Sequence, residues 1–463
     1  MAPIKTKAKN LDMTQGEPAR LLVLFAIPML IGGIFQLMYN MTDTLVVGRF
    51  ASVGALAAIG ATGSTTSLIM MLGQGLTNAV SVVISQAEGA GRQDRMKSCV
   101  AHAVYLVLAG SLVLGLASFF GARPFLTLLG TPENIIDDAV SYVQITGGLS
   151  IALTAYNGVA AVLRAIGDSK TPLYFLILCS LLNVVLDLVF VIAFHGGVPG
   201  VAIATVISQA VSVVLCVFYM VRRYPRLRPD AASFRFDGKI IREYLTIGLP
   251  MCFQSGVLCV GMSVITAVIN SFGSDIVAAY TIGGKVEQLA TLSFSNLAFS
   301  FSVYAGQNYG ARLYRRIGEG LKKGLLIIVG LTILSSAVML LFARPLAQIF
   351  LEEDVAAVLD GAVAMIRTEA CFFWALGIIW AVNSTLRGMG LVRIALVSSI
   401  VELVCKIGIS VTLSQVIGSA GIWIAAPSGW VLGLIPSLIY LLRWFKHAPA
   451  DGELPAGKAP AAP

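Results

Sequence analysis

Twelve long runs of mostly apolar residues divide this chain of 463 residues. An α-helix needs about twenty mostly apolar residues to cross a lipid bilayer, and each run is long enough. Only 12% of the residues are charged, about half the fraction that is usual in soluble domains. The sequence therefore predicts an all-α membrane protein with twelve transmembrane helices. The runs are residues 21–47, 53–82, 98–120, 138–161, 171–195, 198–221, 244–270, 276–303, 318–341, 360–383, 391–415 and 418–442.

The loops between these runs separate the basic residues onto one side of the membrane. Alternate loops and the two ends of the chain hold 26 of the 32 lysine and arginine residues, whereas the opposite loops hold three. Because cytoplasmic loops are rich in lysine and arginine, both termini are predicted to be cytoplasmic, in an inner (plasma) membrane. This distribution explains the net charge of +8 without a nucleic-acid partner. We call the side that carries both termini the basic face.

Short motifs recur about 221 to 223 residues later, which indicates an internal duplication. Each half holds six predicted helices, so both halves enter the membrane in the same orientation. They should form two lobes related by a pseudo-twofold axis along the membrane normal, an arrangement that favours alternating access. The recurring pairs are Gln86-x-x-Gly89-Ala90 with Gln307-x-x-Gly310-Ala311, Leu163-Arg164-x-x-Gly167 with Leu386-Arg387-x-x-Gly390, Ala122-Arg123-Pro124 with Ala343-Arg344-Pro345, Gly197-x-x-Gly200 with Gly418-x-x-Gly421, and Pro28-Met29 with Pro250-Met251.

Polar stretches mark the boundaries of the two halves. The linker between them is rich in arginine and proline, and the C-terminal tail is rich in alanine and proline, which predicts disorder there. The predicted regions are a cytoplasmic N-terminal segment (1–20), an N-lobe (21–221), a cytoplasmic linker (222–243), a C-lobe (244–445) and a disordered tail (446–463).

Four polar side chains of the first half are predicted to lie together at membrane depth. A charged group at the bilayer centre costs about 2.5–3.5 kcal/mol, so Asp187 requires an explanation. Asn183 lies one helical turn before it, and the distances of Asp43 and Thr205 from their helix ends place them at similar depth. Their oxygens suit a proton or a hard cation such as Na⁺. Alternatively, Asp43 lies at the outer interface, Asp187 is structural, and Thr205 bonds its own helix.

The second half differs from the first at the equivalent place. It carries Glu402 and Lys406, whose i,i+4 spacing predicts an internal ion pair with either a structural or a functional role. Glu369 is another intramembrane acid, which Arg367 nearby can neutralise. In the first helix, Pro28 removes a backbone hydrogen bond, and either a changing bend or a permanent kink results.

Four segments together resemble the multidrug and toxic compound extrusion (MATE) family, and the resemblance covers residues 20–445. It is closest to the prokaryotic branch whose cation site lies in the N-lobe. The resemblance implies secondary active export of lipophilic cationic drugs in exchange for H⁺ or Na⁺, without a cofactor. The segments are residues 39–49, residues 163–172, Asn183-x-x-x-Asp187, and Gly197-x-x-Gly200-x-x-Ile203-Ala204-Thr205.

The resemblance also implies roles for particular residues. The coupling residues of that branch match the Asn183, Asp187, Thr205 and Asp43 set, and the proline that bends matches Pro28; Asn40 in the same helix is a secondary candidate. Other branches carry a glutamate about two turns after the helix-7 proline. This chain has Leu258 there, and Gln254 is the nearest polar residue. Gln254, Glu369, Glu402 and Lys406 are therefore secondary candidates in the C-lobe.

Other functions stay open from the residues. A flippase for a lipid-linked oligosaccharide or cell-wall precursor needs a strongly cationic cavity, whereas the few intramembrane cations here lie near acids. An intramembrane enzyme needs a metal-binding acidic motif or a histidine–aspartate pair on a loop, and the sequence shows neither. A channel is also an alternative, but the internal duplication favours alternating access. Seven scattered cysteines and three histidines predict neither disulfides nor a metal site. Small lipophilic cations and membrane lipids are the expected partners of a monomer.

Overall fold

The computed structural model describes residues 10–50, 53–148, 150–194, 196–351 and 356–453, without the side chains of residue 40 and residues 42–56. Within these residues the protein is helical, with short turns and no β-strand. The first half contains α1 (Pro18–Phe50), α2 (Val53–Ala61), α3 (Gly63–Gly89), α4 (Gln93–Leu128), α5 (Glu133–Gly148), α6 (Ser150–Ala165), α7 (Lys170–Leu188) and α8 (Gly197–Arg223). The second half contains α9 (Gly238–Asn270), α10 (Ser274–Gly310), α11 (Tyr314–Gln348), α12 (Ala356–Ala370), α13 (Phe373–Gly388), α14 (Val392–Ile417) and α15 (Ser419–Lys446).

Every predicted apolar run coincides with one helix or with two consecutive helices, which confirms the all-α membrane fold. Nine of the described helices are long and apolar enough to cross a membrane alone, and two bent pairs raise this number to as many as eleven. The remaining run is α10, which has 37 residues. Polar side chains along α10 lower its mean hydropathy. The helix tolerates them because much of it packs against other helices rather than against lipid.

Three of the predicted runs are broken in the structure. The run 53–82 is interrupted at Thr62, between α2 and α3. The axes of α5 and α6 differ by 41°, and those of α12 and α13 by 53°. These two bends occupy the same place in each half, as expected for a duplicated chain. The apolar pattern alone did not predict them, because a bent helix pair is as apolar as a straight helix.

One of the recurring motifs closes the bundle at the basic face. The side-chain amide of Gln86 on α3 donates to the carbonyl oxygen of Gly388 at 2.8 Å. The amide of Gln307 on α10 donates to the carbonyl oxygen of Ala165 at 2.7 Å. Each glutamine therefore reaches from its own half to the end of a helix in the other half. Reciprocal bonds of this kind are what a pseudo-twofold axis produces.

Two glycines of the same motif bring α3 and α10 into backbone contact. A Cβ atom at Gly89 would lie 1.8 Å from the carbonyl oxygen of Gln307, and one at Gly310 would lie 2.0 Å from that of Gln86. Small residues allow helices in membrane proteins to approach this closely. The closure of the basic face thus depends on the absence of two side chains.

The N-terminal segment, residues 10–17, crosses this closed end and contacts both halves. Met13 is completely buried, and its backbone N–H donates to Oε1 of Gln307 at 3.0 Å. Its carbonyl oxygen accepts from Nδ2 of Asn308 at 2.9 Å. In the first half, the N–H of Leu11 donates to the carbonyl oxygen of Gly167 at 3.3 Å. The segment therefore bridges the two halves.

The structure differs from two predicted region boundaries. α9 begins at Gly238, within the predicted linker 222–243, because the side chain of Asp237 accepts from the N–H of Lys239 and caps the helix. The predicted disordered tail is ordered in its first part. There the side chain of Asp451 accepts from the backbone N–H of Arg315 at 3.0 Å, so this part packs on the start of α11.

We expect Gly89→Ala to destabilise the closed end, because the added methyl group meets a backbone oxygen that moves only together with α10. Overpacking of this kind costs about 1–3 kcal/mol. The midpoint of thermal unfolding of the protein in nanodiscs measures the effect. Gly330→Ala is the matched control, because a Cβ there meets nothing within 4 Å. Equal midpoints for the two variants would contradict the close contact.

Candidate functional site

The structure brings together three of the four predicted cation-coupling residues. Nδ2 of Asn183 lies 3.4 Å from Oδ1 of Asp187 on α7 and 3.4 Å from Oγ1 of Thr205 on α8. Asn183 and Asp187 are completely buried. The hydroxyl of Thr205 donates to the carbonyl oxygen of Val201 at 3.0 Å, so its oxygen is oriented to accept from Asn183. A carboxylate, an amide and a hydroxyl therefore form one buried cluster, which we call the N-lobe cluster.

The helix changes its winding directly after Asp187. The α-helical hydrogen bonding of α7 ends at Leu188, and Val189–Ala193 form a π-helix. Short π-helical segments occur frequently at functional sites, because the wider turn changes how neighbouring carbonyl groups are satisfied. The chain then reverses at Gly196, whose N–H donates to the carbonyl oxygen of Phe190 at 2.9 Å. This tight reversal returns α8 against α7 and brings Thr205 to the cluster.

Two candidates on α1 lie outside the described side chains. Asp43 is the fourth predicted coupling residue, and Asn40 is a secondary candidate. Their helix packs against both α7 and α8, which carry the rest of the cluster. The roles of Asp43 and Asn40 stay predictions.

A cavity of about 510 Å³ lies beside the N-lobe cluster. This volume is within the range of small-molecule sites, about 300–1,000 Å³. Thr205 forms part of its wall, so the N-lobe cluster lies directly behind that wall. Among the side chains that the structure describes, none that lines the cavity carries a formal charge. The lining residues are Gln36, Tyr39, Ile59, Thr62, Gly63, Thr66, Ser67, Met70, Gln74, Tyr142, Leu153, Tyr156, Asn157, Leu176, Cys179, Ser180, Val201, Thr205 and Gln209.

The cavity lies in the half of the bundle away from the basic face. Thr62 and Gly63 at the start of α3 line it, whereas Gly89 at the other end of α3 belongs to the closed contact. At 1.5 Å per residue, a helix of 27 residues is about 40 Å long, so the two ends lie on opposite sides of a bilayer. The structure is thus closed on one side and hollow on the other.

Pro28 lies in α1 between the two halves. α1 continues through Pro28, although proline cannot donate the usual hydrogen bond to the carbonyl oxygen of Leu24. One turn later, a Cβ at Gly32 would lie 3.5 Å from Cδ2 of Leu176 on α7, and one at Gly33 would lie 2.8 Å from Cδ1 of Leu292 on α10. A weak turn therefore lies where α1 contacts both halves. Its bending stays a prediction.

Among the secondary candidates of the second half, Glu402 and Lys406 were predicted to form an ion pair. Gln254 on α9 donates to the hydroxyl of Ser399 on α14, within the same half. Glu402 and Lys406 form no ion pair within 4 Å in the described part of the chain, so the predicted internal ion pair is not formed. Glu369 is only 4% exposed. No group of three or more acidic, histidine or cysteine residues among those described is arranged to hold a metal ion.

Sequence reasoning missed most of the cavity lining. Thr66, Met70 and Gln74 recur every four residues along α3 and share one face of it. That spacing was the available signal. It was not specific, because isolated polar side chains in an apolar run also form hydrogen bonds with the backbone of their own helix. Tyr156 on α6 was missed for a different reason. Its helix is one half of a bent pair, and the apolar pattern does not reveal that bend.

The MatE family model matches the chain twice, over residues 28–189 and 250–412. The second match repeats the first at the spacing of the recurring motifs, which confirms the internal duplication. The chain is 27% identical over 441 residues to the probable multidrug resistance protein YpnP of Bacillus subtilis (strain 168), covering 94% of this chain and 98% of that protein. It is 26% identical over 431 residues to the FAD transporter of Shewanella oneidensis, with 90% of each chain covered.

The fold is also similar to a solved structure described as the outward-facing conformation of a multidrug resistance MATE family transporter of the MOP superfamily. The TM-score is 0.88 and the sequence identity is 22%, with 96% of this chain and 99% of that chain covered. At this identity the likeness concerns the fold.

We expect Thr205→Val to destabilise the N-lobe cluster, because the variant keeps the shape of the side chain but removes the oxygen that accepts from Asn183. The loss of one buried hydrogen bond in a membrane protein costs about 1 kcal/mol. Thermal unfolding in nanodiscs measures it, and Thr205→Ser, which keeps the hydroxyl, is the control. If the serine variant loses as much stability as the valine variant, the hydrogen bond is not the cause.

Proposed function

The chain belongs to the MatE family of membrane transporters, and from this premise we propose that it exports small lipophilic cations in exchange for H⁺ or Na⁺. It is a multi-pass membrane transporter and not an enzyme. One observation carries the proposal: a buried carboxylate, that of Asp187, lies with Asn183 and Thr205 directly behind the wall of a cavity of small-molecule size.

The N-lobe cluster is the proposed coupling site. A carboxylate that is removed from water is costly as a bare charge, so Asp187 is stabilised by a bound proton or cation. The carboxylate, amide and hydroxyl oxygens of Asp187, Asn183 and Thr205 are hard donors that also suit Na⁺. Because the cluster adjoins the cavity, a change in its occupancy alters the wall that a substrate contacts. This proximity couples the ion to the substrate.

The cavity supports lipophilic cations as the substrate class. Tyr39 and Tyr156 line it, and aromatic faces attract organic cations. Met70 adds an adaptable apolar surface. None of the described residues that line the cavity is basic, so the phosphates of a dinucleotide or of a lipid pyrophosphate would find no counter-charge among them. This argues against the flippase alternative and against extending the name of the Shewanella relative to this chain.

Alternating access is the proposed transport mechanism. The basic face, which we propose to be cytoplasmic, is closed by the reciprocal bonds of Gln86 and Gln307, whereas the cavity lies in the opposite half. Transport then requires these bonds to break while the far side closes. Pro28 is the proposed bending point, because its helix touches both halves. We also propose that the protein is a monomer of the plasma (inner) membrane with both termini in the cytoplasm. Its two halves then form an N-lobe and a C-lobe.

We expect Asp187→Asn to abolish ion-coupled efflux without preventing membrane insertion, because the amide is nearly the same size but carries no charge. Proteoliposomes with a fluorescent lipophilic cation and separate pH and Na⁺ gradients measure transport. The loss should be at least about a hundredfold, as expected when an essential proton-transfer group is removed. The gradient that drives the wild type identifies the coupling ion.

The matched control for this experiment is Asp360→Asn. Asp360 is exposed and pairs with Arg344 at 3.1 Å, away from the cavity. This control should transport at the wild-type rate. Efflux at that rate by Asp187→Asn under both gradients would remove Asp187 from the mechanism.

We expect Gln86→Ala to open the basic face more often, because it removes one reciprocal bond worth about 1 kcal/mol. Gln86 does not bond to the N-terminal segment, whereas the N–H of Met13 bonds to Gln307. Hydrogen–deuterium exchange at residues 10–17 therefore reports opening of the whole closed end, and it should become roughly five- to tenfold faster.

The control for this opening is Gln144→Ala. Gln144 also donates to a carbonyl oxygen, that of Phe119, but within the first half. Its removal should leave the exchange of residues 10–17 unchanged. Identical exchange in both variants would mean that the reciprocal bonds do not hold the basic face closed.

A further inference from the structure

Two arginines at the closed end have no role in the transport mechanism proposed above. Arg164 is the next-to-last residue of α6 and Arg387 is the next-to-last residue of α13, and the recurring Leu-Arg-x-x-Gly motif makes them equivalent. Both side chains are partly buried. Nε of each is out of contact with solvent and makes no hydrogen bond to a described residue. We call Arg164 and Arg387 the gate arginines.

Each gate arginine directly precedes a carbonyl group that the other half of the chain holds. After the first, the carbonyl oxygen of Ala165 accepts from Nε2 of Gln307 at 2.7 Å. After the second, the carbonyl oxygen of Gly388 accepts from Nε2 of Gln86 at 2.8 Å. The gate arginines therefore belong to the same seam between the halves as the reciprocal bonds that close the basic face.

The side chain of Arg164 reaches from the first half to the second. Its Cζ atom lies 5.6 Å from the centre of the Phe299 ring on α10. Asn157, seven residues earlier and on the same face of α6, lines the cavity. Seven residues of helix are about 10 Å long. The charge of Arg164 therefore lies between the cavity and the basic face.

Nearby acids do not neutralise the gate arginines. Neither arginine forms an ion pair within 4 Å among the residues that the structure describes. Asp168, one turn after the first, accepts from the hydroxyl of Tyr224 at 2.6 Å. Glu88 pairs with Arg226 at 2.7 Å. Glu402 interacts with the second gate arginine only beyond the distance of an ion pair. Two positive charges therefore remain in the seam.

The seam is closely packed, but packing alone does not stop a proton. A Cβ at Gly306 on α10 would lie 2.1 Å from Oγ of Ser85 on α3, and both Ser85 and Gln307 are buried. A substrate cannot pass such a contact. A proton can cross along a transient chain of water molecules, and in other membrane pathways a fixed arginine excludes protons and cations.

We propose that the gate arginines form a positive barrier, which keeps protons and small cations from crossing the closed end while the cavity is open. One unit charge about 10 Å away, at an effective dielectric constant of about 20, lowers the occupancy of a cation roughly tenfold. Arginine suits this role because its guanidinium keeps its charge inside a protein. The inference rests on the proposed function, since only an ion-coupled exporter loses its driving gradient through such a leak.

Passive proton entry into proteoliposomes that contain the full chain tests the proposal. Arg164→Gln removes the charge and keeps a polar side chain. All proteins in the comparison also carry Asp187→Asn, so the proposed coupling carboxylate moves no proton. Without substrate, and with a K⁺ diffusion potential set by valinomycin, an internal pH dye measures proton entry. We expect Arg164→Gln to raise it roughly tenfold, and Arg164→Gln with Arg387→Gln to raise it further.

Two controls separate charge from side-chain identity. Arg164→Lys keeps a positive charge and should leave proton entry unchanged. Arg344→Gln removes an exposed arginine at the other end of α11, which pairs with Asp360 at 3.1 Å, and should also leave it unchanged. If Arg164→Gln is not monodisperse on gel filtration, Arg164→Met takes its place, because methionine fills most of the same apolar volume.

Two further solutes separate charge from packing. Entry of neutral erythritol and of chloride is measured in the same vesicles, and neither should rise, because a positive barrier does not repel them. Faster entry of protons alone supports the barrier. Unchanged proton entry, equal entry in the glutamine and lysine variants, or a parallel rise for erythritol overturns it. A failure of the proposed function would appear as absent efflux in the wild type and would leave this comparison intact.

Discussion

Every backbone polar group within a lipid bilayer must be satisfied inside the protein, and the rest of this structure depends on that constraint. Helices meet it within a single segment, which is why each apolar run becomes a helix or a pair of helices. The same constraint applies to side chains. A polar group at membrane depth must find partners in the bundle, and Asn183, Asp187 and Thr205 do so with one another. The N-lobe cluster thus satisfies its buried polar groups internally, and we propose that it also binds the coupling ion.

The internal duplication supplies a symmetric frame on which asymmetric chemistry is placed. The two glutamines that cross between the halves are equivalent, and so are the two glycines beneath them. Closing the basic face requires matching surfaces, which equivalent residues provide. The charges of α7 and α14 are not repeated in this way, because α7 carries Asp187 whereas α14 carries Glu402 and Lys406. The backbone contacts therefore recur in both halves, whereas the charges of these two helices do not.

The fold was largely predictable from the sequence, whereas the site was predictable only in part. The length of an apolar run and the placement of basic residues can be read directly from the sequence. These two signals identified the helices. The contact between Asn183 and Asp187 was predictable because their spacing along one helix is fixed. The bend between α12 and α13 and the π-helical turn after Asp187 were not, because they depend on packing between helices. Spacing alone failed for Glu402 and Lys406, which form no ion pair within 4 Å in the described part of the chain.

The burial of Met13 in the closed end has a consequence for how the protein is made. This residue leaves the ribosome early, but its hydrogen-bond partner Gln307 follows 294 positions later. At about 5–20 residues per second, the segment waits roughly 15–60 seconds before that partner exists. A nascent chain that stops before α10 therefore keeps its first residues exposed to proteases and chaperones. Protection of the N-terminal segment marks the chain as translated past the point where both halves can meet.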